Sequence, residues 1–172
     1  MSKKTYNVLF LCTGNSARSV LAEAILNHEG GGRFRAYSAG STPTGRVNPH
    51  ARAVVESCGF PLDQFRSKSW DEFARADAPS FDVIITVCDN AAGEVCPIWP
   101  GHPTTSHWGI PDPAAAQGTD AQIDAAFAEA ADLLRNRIRL FVNLPLANLD
   151  AQALKAKMRE IHETADTRAQ AQ

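Results

Sequence analysis

Val8-Leu-Phe-Leu-Cys-Thr-Gly-Asn-Ser-Ala-Arg-Ser19, followed by Val20, Leu21, Ala24 and Ile25, joins an apolar strand to an amphipathic helix through one anion-sized loop. The run before Cys12 reads as a buried strand, and the four apolar residues after Ser19 share one helical face. A turn of this kind aims successive backbone N–H groups into its centre, and the helix that begins near Ser19 adds its positive dipole end. Gly14 is expected to supply the positive φ such a loop usually needs. Thr13, Gly14, Asn15, Ser16, Ala17, Arg18 and Ser19 therefore read as an oxyanion cradle above Cys12. Arg18 can grip two oxygens in a planar fork, and the same field is expected to lower the Cys12 pKa from ~8.5 towards the ~3.5–7.5 of activated thiols. The competing reading is an inert core thiol followed by ordinary turn residues. Placement directly between a strand and a helix favours the nucleophile.

Working outward, residues 6–11, 34–38 and 81–87 have strand character, and 104–108 is a weaker fourth candidate. Helical patterns lie between them. Ala51, Val54, Val55 and Cys58 share a face that ends at Gly59 and Pro61, and a shorter helix is expected around 70–76. Ile123, Phe127, Ala131, Leu134, Ile138 and Phe141 recur at three- and four-residue steps behind Asp120, read as an N-cap. Alternating strands and helices predict a single-domain α/β fold, a parallel four-stranded sheet flanked by helices on both faces. Ligands of such sheets sit beyond the carboxyl ends of the strands, where Cys12 and Cys88 fall. The catalytic core is expected over about 5–145. An amphipathic extension over about 146–163, with Leu149, Leu154, Met158 and Ile161, caps the domain or pairs with another subunit, and a frayed tail covers 164–172.

The chain of 172 residues is 44% hydrophobic and 21% charged, which suits one globular domain with a sizeable core. A formal net charge of −2 and the lack of a basic run argue against nucleic-acid or membrane partners. No apolar stretch is long enough for a membrane span or a secretion signal, so a cytoplasmic protein is expected. In that reducing setting Cys12, Cys58, Cys88 and Cys96 read as core thiols, metal ligands or redox catalysts rather than a disulfide scaffold.

Ile84-Ile-Thr-Val-Cys88-Asp-Asn ends the third strand, and Cys96-Pro follows within the irregular loop over 93–103. If strands one and three are neighbours, ~4.8 Å apart, Cys88 comes within reach of Cys12, and a loop-borne Cys96 can then take over Cys88. Cys58 reads instead as a buried structural thiol. Cys88, Cys96, His102 and His107 have the residue types of a zinc site but not its spacing, so no metal is assigned there. His107 is expected to be a structural hydrogen-bonding residue; His28, His50 and His162 read as surface residues. Asp112, in the proline-flanked stretch His107-Trp-Gly-Ile-Pro-Asp-Pro113, is a candidate proton donor, with a plain Asp-Pro turn as the alternative.

The first loop resembles the phosphate-binding loop of the low-molecular-weight tyrosine phosphatase fold. Ser38-Ala-Gly40, Val87-Cys-Asp-Asn-Ala-Ala-Gly-Glu-Val-Cys-Pro97 and His107-Trp-Gly-Ile-Pro-Asp-Pro-Ala114 follow in order, and together they resemble its arsenate reductase branch over about 6–144. The resemblance implies that Cys12 attacks arsenate held by Arg18 and the loop amides, with Asp112 assisting the departure of water. Cys88 then attacks Cys12 and releases arsenite. Cys96 converts the Cys12–Cys88 disulfide to Cys88–Cys96, which an external system, thioredoxin or glutathione with glutaredoxin, reduces. Mycothiol is a further candidate. No tightly bound cofactor is implied. Asn15 and Ser19 are implied to hold the loop and stabilise the thiolate. Some members carry potassium beside the loop; Asn15, Glu23 and Ser38 match ligand positions, and Asp71 is an insecure fourth. An exposed first-turn acid is the alternative role for Glu23.

Three departures accompany the likeness. Ala17 stands where many relatives have a second loop cysteine, Pro111 replaces a common acidic residue, and the Cys88–Cys96 interval is one residue longer than in the thioredoxin-coupled branch. The alternative function is a low-molecular-weight protein tyrosine phosphatase, which would use Cys12, Arg18 and Asp112 but has no use for Cys88 and Cys96. Ala114-Ala-Ala116 also lacks the aromatic residues that flank a phosphotyrosine ring in such enzymes.

Overall fold

A computed structural model describes residues 4–88 and 103–171, the segment 166–171 by its backbone alone. Four strands, β1 (Tyr6–Cys12), β2 (Phe34–Gly40), β3 (Val83–Thr86) and β4 (Thr104–His107), form one parallel sheet in the order β2-β1-β3-β4. The helices are α1 (Arg18–Glu29), α2 (Arg52–Ser57), α3 (Asp120–Val142) and α4 (Ala151–Ala171). β1 is interior and covered on both faces, which is why its sequence is a continuous apolar run rather than an alternating one. Its register pairs Cys12 with Gly40 on one side and Leu11 with Thr86 on the other. The chain reverses its direction of travel across the sheet at β1, so the crevice beyond the ends of β1 and β3 is where a ligand is expected.

Alternate residues of the strands build two unequal layers. Val8, Phe10, Val83, Ile85 and Val87 pack with the apolar faces of all four helices. Leu9, Leu11, Ala39 and Ile84 face a smaller cluster closed by Trp70, Phe73 and Phe81. Here Tyr37, Phe73 and Phe81 meet edge to face, with centroids 5.4–5.6 Å apart. All four α-helices join the first layer, and among the described residues the helical element of the second is a single 3-10 turn, Trp70–Phe73, where a short helix over 70–76 is predicted.

Further differences have local causes. α3 is capped by Thr119 rather than Asp120, because Thr119 and Gln122 form a reciprocal capping box that satisfies two free N–H groups. α4 packs its Met158 and Ile161 into the main core, and Met158 O accepts the indole N–H of the buried Trp108 at 3.0 Å. His162, expected at the surface, is half-buried: it takes a hydrogen bond from the buried Arg137 at 3.3 Å and lies edge-on to His107. His107 itself meets the Thr86 hydroxyl at 2.7 Å, as a structural histidine should. Cys58 closes α2 and is buried. No described helix is long and apolar enough to cross a membrane.

Candidate active site

Cys12 ends β1 and α1 starts at Arg18, so the loop lies between rigid elements. Its outer edge is stapled. Thr13 O accepts from Thr42 N at 2.9 Å, Gly14 O from Thr44 N at 3.1 Å and Ser67 Oγ at 2.9 Å, and Ser16 O from Asn48 N at 2.9 Å. In a planar trans peptide the N–H that follows each outward carbonyl points the other way, towards the loop centre. Asn15 N shows this directly, donating to Cys12 Sγ at 3.2 Å. The positive φ belongs to Asn15, at 46°, and not to Gly14 as expected. Asparagine tolerates that conformation when its side chain is held locally. Gly40, quoted in the sequence only as part of a likeness, is the glycine the site requires: an added Cβ would lie 2.4 Å from Thr13 O and 3.0 Å from Cys12 O.

Asn15, Ser19 and Ser38 are fully buried beneath the loop. Asn15 Oδ1 accepts the backbone N–H of Lys68 at 2.9 Å, which fixes the orientation of the amide. Its Nδ2 donates to Ser19 Oγ at 2.8 Å and Ser38 Oγ at 2.9 Å. Ser38 in turn donates to Glu23 Oε1. Ser19 Oγ accepts a hydrogen bond from Asn15, which leaves its own hydrogen available to Cys12 Sγ, 2.9 Å away. The string of polar groups thus presents a hydroxyl donor to the sulfur.

Electrostatics depart from expectation. Burial pushes the Cys12 thiol up from its ordinary value, the Cys88 thiol adds to this, and the Ser19 and Asn15 hydrogen bonds only partly oppose it. Cys12 is only 4% exposed, and desolvation of a thiolate there outweighs the loop donors. Arg18 does not lie over the sulfur with a free fork: Nη1 donates to Ile110 O at 3.1 Å and Nη2 stands 3.6 Å from Asp112 Oδ2. Asp112 forms the Asp-Pro turn, its Oδ1 accepting from Ala114 N at 2.9 Å, while Oδ2 faces Arg18.

Cys88, buried just past β3, places Sγ 3.6 Å from Thr13 Oγ1. Cys12 begins the loop and Cys88 touches its next residue, so both thiols border it. Cys96 and His102 lie outside the described residues. Among the described residues no cluster of three metal-type ligands occurs.

The potassium positions do not fit a cation. Asn15 spends its oxygen on Lys68 N and turns its nitrogen, which cannot ligate a metal, towards Ser38. Glu23 is neither an exposed acid nor a ligand waiting beside Asp71, which is exposed; it is half-buried and receives the Ser38 hydroxyl.

A family model described as low molecular weight phosphotyrosine protein phosphatase matches residues 7–159. An arsenate reductase of Bacillus licheniformis is 38% identical over 141 residues, 82% of this chain and 96% of its own length. That of Bacillus subtilis is 37% identical over 134 residues, 78% and 93% of the two chains. Among solved structures, arsenate reductase from Archaeoglobus fulgidus aligns with a TM-score of 0.62 at 27% identity, covering 80% of this chain and 99% of that one. A low molecular weight protein tyrosine phosphatase from T. tengcongensis has the same fold, with a TM-score of 0.64 at 22% identity over 81% and 100%.

Proposed function

The chain belongs to the low molecular weight phosphotyrosine protein phosphatase family, and we propose that within it this protein is an arsenate reductase, one catalytic unit working in the reducing cytoplasm. The observation that carries the reading is the second buried thiol, Cys88, at the rim of the Cys12 loop. Phosphoester hydrolysis on this fold needs one sulfur; reduction of the bound oxyanion needs a second to accept the oxidation.

Arsenate enters the ring of N–H groups from Thr13 to Ser19, and Arg18 turns its guanidinium from Ile110 O to the oxyanion. Cys12 attacks arsenic as thiolate, with Ser19 donating to the sulfur in the ground state. An arsenic–oxygen bond breaks, Asp112 supplies a proton, and water leaves. Cys88, as thiolate, attacks Cys12 Sγ. The sulfur–arsenic bond pair passes to arsenic, As(V) becomes As(III), arsenite departs, and the two electrons are balanced by a Cys12–Cys88 disulfide. Cys96 attacks Cys88 and frees Cys12. An external thiol system, thioredoxin or glutathione with glutaredoxin, reduces Cys88–Cys96.

The test is one turnover with arsenate and no added reductant, followed by peptide mass spectrometry. Cys12–Cys88 or Cys88–Cys96 linkage is expected. Cys88→Ser should abolish arsenate-dependent oxidation of a thiol reductant while sparing hydrolysis of an aryl phosphate. Absence of both linkages refutes the relay, and vigorous hydrolysis with no arsenate-driven oxidation favours a tyrosine phosphatase.

A further inference from the structure

The Cys12 loop is held from outside by the segment 42–48, and a clamp works only where it is itself fixed. Most of its other bonds return to its own neighbourhood. Thr44 Oγ1 donates to Arg46 O at 2.9 Å and Gly45 N to Ser67 Oγ at 3.1 Å, and Ser67 itself holds Gly14. Asn48 differs: its N–H reaches Ser16 O, and its Oδ1 accepts His50 N at 2.9 Å at the start of the 3-10 turn Pro49–Ala51. The His50 side chain, expected at the surface, is only 24% exposed. Its ring lies 5.9 Å from that of the buried Phe127, with Nδ1 2.7 Å from Asp124 Oδ1 and Nε2 3.9 Å from Asp120 Oδ1. A carboxylate at neutral pH only accepts, so Nδ1 donates. All three partners belong to α3, and Arg52 and Glu56 of α2 line the hollow beside the ring. The turn's other anchor is the buried Ala51. Its methyl contact has no preferred direction, whereas a hydrogen bond has one.

We propose that His50 is a positioning residue for the oxyanion loop: tied to Asp124, it orients the turn that sets Asn48, and through Asn48 the Ser16 carbonyl, whose following N–H, that of Ala17, faces the anion. The idea rests on the loop being the anion site, whichever reaction follows, and phosphate tests it apart from the thiol relay.

Phosphate affinity is measured well below the melting temperatures, as protection of Cys12 from iodoacetamide read by peptide mass spectrometry. His50→Ala should bind phosphate about 3- to 10-fold more weakly, the net worth of one misaligned N–H donor. Asp124→Ala removes an exposed carboxylate and leaves the ring; it should lose about as much, and the double variant no more than either alone. His50→Asn, whose amide nitrogen can stand where Nδ1 does, should restore wild-type affinity. Wild-type affinity in His50→Ala or Asp124→Ala, additive losses in the double variant, or failure of His50→Asn to rescue would each overturn the proposal. Wild-type protein that phosphate does not protect would refute the loop as an anion site, and the proposal with it. Asp124→Ala keeps the test decisive where His50→Ala does not fold.

Discussion

Gly40→Ala should damage this protein more than Gly14→Ala, although Gly14 lies inside the signature loop and Gly40 does not. An added Cβ at Gly40 would stand 2.4 Å from Thr13 O and 3.0 Å from both Asn15 N and Cys12 O. These are backbone atoms of the loop and cannot rotate aside. β2 is fixed by its pairing with β1 and by the Gly40 N–H to Lys68 O bond, so the Thr13 carbonyl must retreat by about 0.6 Å or more to reach a tolerable contact. Overpacking of this kind costs about 1–3 kcal/mol, and an unyielding neighbour puts Gly40→Ala at the upper end. For a domain of this size that is a fall of about 6–12 °C in melting temperature. Because the displaced atoms carry the oxyanion site, kcat/KM for arsenate should drop by about 10²-fold. At Gly14 the nearest atom is the methyl of the exposed Thr44, 3.2 Å away, and the backbone is not left-handed, so alanine there should cost less than about 1 kcal/mol. Differential scanning calorimetry with a steady-state assay of both variants decides it. A Gly40→Ala protein that melts within about 1 °C of wild type, or a Gly14→Ala protein that is the worse of the two, refutes the reasoning.

Ser19→Ala takes away the hydroxyl donor to Cys12 Sγ, so alkylation of that sulfur at neutral pH should slow by about tenfold and its pH profile should move to higher pH. Cys12 and Cys58 both have folded pKa values pushed up by burial, so their contribution to stability is complete below the unfolded thiol value and lost as pH rises through the folded one; urea midpoints should fall above about pH 8.5, and a Cys58→Ala variant should show a shallower fall. Thr119→Ala opens the α3 capping box and should cost about 1 kcal/mol in urea denaturation. Trp108→Phe removes the indole bond to Met158 O and leaves a small void in the core, for which chemical denaturation should register a loss of about 2 kcal/mol or more.

The α/β class, the four parallel strands and the meeting of Cys12 and Cys88 at neighbouring strand ends were legible because each rests on a strong local pattern: the uninterrupted apolar run of β1, the turn chemistry after it, and the period of α3. Strand ends were less so; the third extends only over Val83–Thr86, with Phe81 before it packed in the smaller aromatic cluster and Val87 after it in the main core. What stayed hidden depends on residues distant in the chain. The left-handed residue of the loop is Asn15 because Lys68 N, more than fifty positions away, holds its side chain. The direction of the Cys12 pKa follows from burial by the finished core, which outweighs the donors that the local motif announces. Lys68 itself carries no motif, and only the folded arrangement brings its backbone N–H to Asn15 Oδ1.

The carbonyls of Thr13, Gly14 and Ser16, each clamped from outside, leave the first sulfur with nowhere to go. A courier that cannot leave its post must be visited: under the proposed relay Cys88 has to make the journey to Cys12, and the rate of arsenite release becomes a question of how fast that approach is made rather than how well the anion is held.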